Sequence, residues 1–232
     1  MATPLTAAHW RGLNLRRLSL FVLIGAGSVL LWHSPILVPF KIFVVFVHET
    51  GHALAAVCTG GRVLSMVVTP WESGAVQYIG GAPLLVASAG YVGSALFGGV
   101  MLLLAGRPHW APAIFASLAV LFGVVTLWFV RHTFGVMFGL GTAALCGLLA
   151  WKRLPGSYYL IDVLAVMSAL YALYDLSDFL RFGARTDAVI LAQITYVPAF
   201  VWAGLWSAIS VLVIVTAGKR ALTLPPHHKN AV

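Results

Sequence analysis

Long apolar stretches alternate with short polar breaks along this chain, and their lengths predict membrane-spanning helices. A helix rises about 1.5 Å per residue, so roughly 20 apolar residues cross a hydrocarbon core of about 30 Å. On that criterion we predict an all-α polytopic membrane protein with about seven transmembrane helices, the range being six to eight. The predicted spans are 18–32, 42–58, 82–105, 111–130, 133–151, 158–176 and 196–217.

One segment, residues 60–81, departs from the helical pattern between the second and third spans. Residues 63–69 are rich in β-branched side chains, a Pro-Trp-Glu-Ser-Gly segment at 70–74 is typical of a turn, and 75–79 is a second short apolar run. This pattern predicts a short β-hairpin. At membrane depth its edge amides have no water to bond, so the hairpin must be shielded by protein or line a cavity.

The composition agrees with a multi-pass integral membrane protein. Hydrophobic residues make up 61% of the chain and charged residues 9%, where a soluble domain carries roughly a quarter. The net charge of +8 does not indicate nucleic acid, because the basic residues form no continuous face. Only Cys58 and Cys146 occur, both in apolar runs, so any metal must be bound by His and carboxylate side chains.

We expect a single integral domain, 1–232, embedded in the lipid bilayer, with a basic N-terminal segment at 1–17 and a polar tail at 219–232. The positive-inside rule does not decide its orientation, since the predicted loops on the two sides carry equal numbers of Lys and Arg. One side has Arg11, Arg16, Arg17, Arg62, Arg131, Arg181 and Arg185, and the other has Lys41, Arg107, Lys152, Arg153, Lys219, Arg220 and Lys229.

The candidate chemistry lies in the second span, at His48-Glu49-Thr50-Gly51-His52. Two imidazoles at i and i+4 share one face of a helix, which is the geometry that binds one Zn²⁺ with a carboxylate beside it. Ionisable groups in an apolar span are costly unless they pair or coordinate an ion. Two alternatives would also use two histidines. One is a hydrogen-bonded polar core, and the other is a haem or electron-transfer site, which would leave Glu49 without a role.

Zinc bound by His48, His52 and one further ligand would keep a position for water and lower its pKa toward about 7. Glu49 would accept the proton of that water and pass it to a leaving amine. The motif and its place in an apolar span together predict peptide hydrolysis inside a membrane.

The sequence resembles the site-2 protease family of intramembrane zinc metallopeptidases over roughly 44–210. The motifs that carry the resemblance are His48-Glu49-Thr50-Gly51-His52, Gly60-Gly61, the hairpin-like segment to Gly80-Gly81, and Ala89-Gly90-Tyr91-Val92-Gly93. In a compact branch of the family, a late Asp-rich element and a Ser-Asp-Ala-like triplet precede a Trp-containing last span. The corresponding residues here are Asp175-Leu176-Ser177-Asp178, Thr186-Asp187-Ala188, and Trp202 with Trp206. The chain has no Asp-Gly pair, so the Leu-Asp-Gly sequence that usually supplies the third ligand is missing.

Three late acids are candidates for that third ligand. Asp175 and Asp178, at i and i+3, share one face at the end of an apolar span. Asp187 directly follows Thr186, a pattern typical of the first turn of a helix, where an acidic side chain stabilises the helix start. We therefore predict Asp175 as the ligand, with Asp178 and then Asp187 as alternatives. Whichever of Asp175 and Asp178 is not a ligand would orient a ligand histidine.

The sequence thus predicts an intramembrane zinc metalloprotease acting on membrane-anchored or membrane-proximal polypeptides, with the hairpin edge pairing with an extended substrate. The main alternative is a non-catalytic membrane scaffold, or inactive protease relative, although the intact HExxH argues against it. A metal-ion transporter using His48, His52 and Asp175 is a further alternative that leaves Glu49 and the hairpin unexplained. Trp202 and Trp206, at i and i+4, are expected to pack or to face lipid.

Overall fold

The computed structural model describes residues 14–104, 107–178 and 186–223, with the side chains of 172–178 outside that description. The elements are α1 Leu15–Leu30, α2 Val38–Cys58, β1 Arg62–Val68, β2 Gly74–Ile79, α3 Pro83–Leu104, α4 Ala111–Phe129, α5 Thr133–Lys152, α6 Tyr158–Asp178, α7 Asp187–Thr195 and α8 Ala199–Thr223. Each of the seven predicted spans falls on one of the long helices, and α7 is an additional short helix. The all-α polytopic class with one hairpin is confirmed.

Five helices within the described ranges are long and apolar enough to cross a membrane. They are Pro35–Cys58, Pro83–Leu104, Pro108–Phe129, Thr133–Lys152 and Ala199–Thr223. The helix α1 has 16 residues, and the apolar part of α6 at Tyr158–Tyr171 is also short. The protein is therefore multi-pass, while the number of seven spans stays a prediction.

Prolines separate α1 from α2, as their positions predict. Pro35–Leu37 forms a 3₁₀ turn, and the Ser34 hydroxyl accepts a hydrogen bond from the Ile36 amide at 3.3 Å. The helix α2 begins four residues before the predicted span, because Pro39 lies in its first turn, where a missing amide hydrogen costs nothing. This earlier start places Lys41 inside the helix.

The helix α2 lies at the centre of the bundle and is the most buried of the candidate spans. Phe43 and Phe46 both stack on Phe122 of α4, with ring centroids 4.8 and 4.3 Å apart. Around this contact one apolar core joins residues of α1 to α6, of α8 and of both strands. The helix that bears the two-histidine motif is therefore packed against protein along most of its length, with Leu54, Val57 and Cys58 exposed near its end.

The predicted hairpin is confirmed, with β1 and β2 paired antiparallel from Arg62 opposite Ile79 to Val68 opposite Gly74. At its base Gly60 and Gly81 have φ values of 83° and 77°, which side chains other than glycine rarely adopt. The two outer edges differ. Met66 of β1 forms a parallel bridge to Val130 at the end of α4, whereas no strand in the described part of the chain pairs with the outer edge of β2.

Two basic residues counted as loop charges in the sequence are buried and bind inside the bundle. The Arg17 guanidinium donates to the Ala221 carbonyl at 2.9 Å and to the Leu102 carbonyl at 3.0 Å, which ties α1 to the C-terminal ends of α3 and α8. The Lys41 ammonium lies 2.6 Å from the Glu72 carboxylate and donates to the Trp32 carbonyl at 3.0 Å. Lys41 thereby fixes the tip of the hairpin against α2.

The ends of the chain only partly coincide with the predicted polar segments. Of the predicted basic segment 1–17, residues 1–13 lie outside the described residues. The helix α8 continues through Thr223, five residues into the predicted tail 219–232, and residues 224–232 lie outside the described residues.

Replacing Glu72 by Gln should destabilise the fold more than replacing Lys41 by Met. The Lys41 side chain is 6% exposed and cannot reach water if its partner loses charge, whereas Glu72 is 28% exposed and can be solvated. Leaving a buried charge unpaired costs about 3 kcal/mol or more. The free energy of unfolding in mixed detergent micelles is the measurement. The double variant should recover most of the loss, and strictly additive losses would contradict this account.

Candidate metal centre

The histidines of the HExGH motif lie one helical turn apart on the same face of α2. Their ring centroids are 4.8 Å apart and the rings are nearly perpendicular. Both side chains are largely buried, with 12% exposure for His48 and 8% for His52. The helix therefore presents two imidazoles to one point inside the protein.

A backbone carbonyl of α3 sets the orientation of His52. Its Nδ1 lies 2.7 Å from the Val86 carbonyl oxygen, and since a carbonyl only accepts hydrogen bonds, Nδ1 must carry the proton. In the neutral ring the lone pair is then on Nε2, the atom that faces the centre. Metal-binding histidines are commonly oriented in this way by a partner on the other nitrogen.

Asp187 brings a carboxylate to the two imidazoles. Its Oδ2 is 3.2 Å from His52 Nε2 and 3.5 Å from His48 Nε2. Within the described ranges these three side chains form the cluster able to bind a metal, with one ligand atom from each within 4.8 Å of the others.

The local sequence explains why Asp187 reaches this position. It is the first residue of α7, as the sequence predicts, and the Thr186 hydroxyl caps that helix by accepting a hydrogen bond from the Val189 amide at 3.4 Å. Because Thr186 caps the helix, the Asp187 carboxylate is left to face α2. The helix-start role that ranked Asp187 third in the sequence is thus compatible with a ligand role.

Asp175 and Asp178, the first two candidates from the sequence, lie near the end of α6. Their side chains are outside the described residues, so the ranking that places Asp175 first stays a prediction. The structure brings together the imidazoles of His48 and His52 and the carboxylate of Asp187. The one signal for this in the sequence is the Thr186-Asp187-Ala188 triplet quoted in the family resemblance.

Glycines make room for the centre where α2 and α3 cross. A Cβ atom on Gly90 would overlap Nε2 of both His48 and His52. On the other helix, a Cβ on Gly51 would overlap the carbonyl oxygen of Ala89. The two helices therefore approach at backbone distance, and the space beside the imidazoles exists because Gly90 has no side chain.

Glu49 lies beside the histidines and against the hairpin. It is 6% exposed, and a Cβ built on Gly74 would lie 2.6 Å from its Oε1 atom. A cavity of about 330 Å³ opens at this point, with walls formed by α2, β2, the start of α3 and α7. Glu49, both histidines and Asp187 all line it, so the Glu49 carboxylate and the metal-compatible cluster share one cavity.

Comparison with known proteins assigns the chain to one family. A family model described as Peptidase M50B-like matches residues 21–217. That range includes the HExGH helix, the hairpin, Gly90 and Asp187. No curated protein and no solved structure gives a significant match.

Gly90→Ala should lower zinc affinity by about tenfold or more, because the added methyl group occupies the space beside both Nε2 atoms. Gly93→Ala, less than one turn further along α3, is the matched control. Its methyl group would lie 3.7 Å from the Gly51 Cα, an ordinary contact, and both changes raise helix propensity equally. Zinc per chain in purified protein is the measurement. Equal zinc content in the two variants would contradict the proposed position of the metal.

Proposed function

Because the chain belongs to the Peptidase M50B-like family, a branch of the site-2 proteases, we propose that it is an intramembrane zinc metalloprotease. Its substrates would be membrane-anchored or membrane-proximal polypeptides. The observation that carries the proposal is the meeting of Glu49 with His48, His52 and Asp187 in one cavity at the centre of a helical membrane protein.

The donor set fits zinc. Two imidazole nitrogens and one carboxylate oxygen are the ligands of many catalytic zinc sites, which leave a fourth position open. The Val86 carbonyl already holds His52 in the tautomer that exposes Nε2, and Gly90 leaves the adjacent space free. Zinc bound here would supply Lewis-acid polarisation of the scissile carbonyl and activation of water.

Glu49 is the proposed acid–base residue. Its carboxylate would accept a proton from the attacking water and return it to the amine nitrogen that leaves when the peptide bond breaks. Its close approach to Gly74 supports this role, because it places the carboxylate at the cavity wall beside the hairpin. Of the other acidic side chains that line the cavity, Glu72 pairs with Lys41 and Asp187 contacts the two histidines.

The open edge of β2 is the proposed substrate-binding element. A helix hides its peptide bonds, so a substrate must be extended before hydrolysis, and an extended segment can add to a free strand edge. The outer edge of β1 is occupied by Val130, whereas β2 lines the cavity through Gly74, Val76 and Tyr78. An extended segment on β2 would thus run beside Glu49.

Glu49→Gln should slow hydrolysis by roughly 10² to 10⁴, because an amide cannot accept the proton from water. Zinc should remain bound, since Glu49 is not in the ligand cluster. An uncut membrane polypeptide should co-purify with the variant, and its truncated product should appear only with the wild type. Crosslinking followed by mass spectrometry measures both.

His52→Ala is the matched control for this experiment, because it should abolish hydrolysis through loss of zinc. The two variants therefore separate proton transfer from metal binding. A scaffold would retain its clients equally in wild type and Glu49→Gln, with no cleavage difference, and that result would refute the protease proposal.

Asp187 is the proposed third ligand, and Asp175 is the competing candidate from the sequence. Asp187→Asn should lower zinc affinity by about tenfold or more, because an amide is a weaker ligand than a carboxylate. Asp175→Asn should lower it less. Competition with a chromogenic chelator measures both affinities. A greater loss in Asp175→Asn would instead support the order given by the sequence.

A further inference from the structure

Trp206 of α8 lies in a second, smaller apolar cluster beside the metal centre. The cluster consists of Ala87, Ala188, Leu191, Ala203 and Trp206, with Tyr91, Val92, Ala199 and Trp202 packed around it. Its members all come from α3, α7 and α8. The sequence leaves open whether Trp206 packs or faces lipid, and at 3% exposure it packs.

An aromatic stack connects Trp206 to one of the metal-site histidines. The indole ring stacks on Tyr91, with centroids 4.9 Å apart and planes 18° from parallel. Tyr91 in turn meets His48 edge-on, with centroids 5.0 Å apart. The indole nitrogen donates to the Ser88 hydroxyl at 3.1 Å, which fixes the rotation of the indole ring. The His48 ring thus packs against Tyr91, which stacks on an indole ring whose orientation is fixed by Ser88.

Trp206 also contributes to holding the helix that carries Asp187. The apolar side of α7, through Ala188 and Leu191, packs into the same cluster. A hydrogen bond also joins α8 to α7, since the Trp202 indole nitrogen donates to the Thr195 hydroxyl at 3.1 Å. The helix α7 is therefore held by α3 and α8, and Asp187 reaches the histidines of α2 from that support.

We propose that Trp206 is a positioning residue of the metal centre, orienting His48 through the Tyr91 ring and holding Asp187 through α7. Metal ligands must lie within about 0.2 Å of their ideal distances, so a small rotation of the imidazole or shift of α7 weakens binding. This inference rests on the metal site of the proposed function, and it does not depend on proteolysis.

The test is the zinc affinity of the full chain in detergent, measured by chelator competition. Trp206→Leu should raise the zinc dissociation constant about 10- to 100-fold, the usual effect of losing a residue that orients metal ligands. Phe115→Leu is the control, because it removes a fully buried ring of α4 from the main core, away from the cavity. Its dissociation constant should stay within about twofold of wild type.

Cobalt substitution provides a readout that depends on ligand geometry rather than on stability. The visible absorption of the Co²⁺ form should change in Trp206→Leu and stay unchanged in Phe115→Leu. The effects of Trp206→Leu and Tyr91→Leu on the zinc dissociation constant should be non-additive, because both residues act on His48. The effect of Trp206→Leu should be the larger, because this variant also loses support for α7.

Trp206→Phe and Ser88→Ala keep the test decisive if Trp206→Leu does not fold. Trp206→Phe retains an aromatic ring against Tyr91, and Ser88→Ala removes only the hydrogen bond to the indole nitrogen. Each variant should therefore raise the zinc dissociation constant less than Trp206→Leu does. Wild-type affinity and cobalt spectra in both would overturn the proposal, as would equal losses in the Trp206 and Phe115 variants. A wild-type protein without zinc would instead overturn the proposed function itself.

Discussion

Ionisable side chains in an apolar helix must find their partners within the protein, and the arrangement around α2 follows from this requirement. Lys41 pairs with Glu72 of the hairpin tip, His52 with the Val86 carbonyl of α3, and both histidines approach Asp187 of α7. Each partner belongs to a different element. The polar groups of one central helix thus contact the hairpin, α3 and α7.

Partner groups can reach α2 only because side chains are missing where its neighbours approach. Gly51 lets α3 come within backbone distance, and Gly90 then leaves the room beside the imidazoles. A larger residue at either place would separate the helices or fill the centre. The cavity therefore forms where α2 and α3 cross, and it depends on the missing side chains at Gly51 and Gly90.

Much of this architecture could be predicted from the sequence because the signals are local. Run length gives the helices, β-branched residues around a turn give the hairpin, and the i, i+4 spacing gives the histidine face. Such signals rank Asp175 first among the late acids, but they give no direction for the carboxylate of Asp187, because a helix-start pattern describes only the backbone. The roles of Arg17 and Trp206 likewise depend on contacts between helices far apart along the chain.

The contact between Gly74 and Glu49 also constrains how the two strands pair. Strand side chains alternate between faces, so a slip of one residue exchanges the face of every side chain. Such a slip would bring Ser73 or Ala75 to the place of Gly74, where a Cβ overlaps the Glu49 carboxylate. Glu49 therefore disfavours the shifted pairings, and a side chain of the central helix helps to set the register of the hairpin.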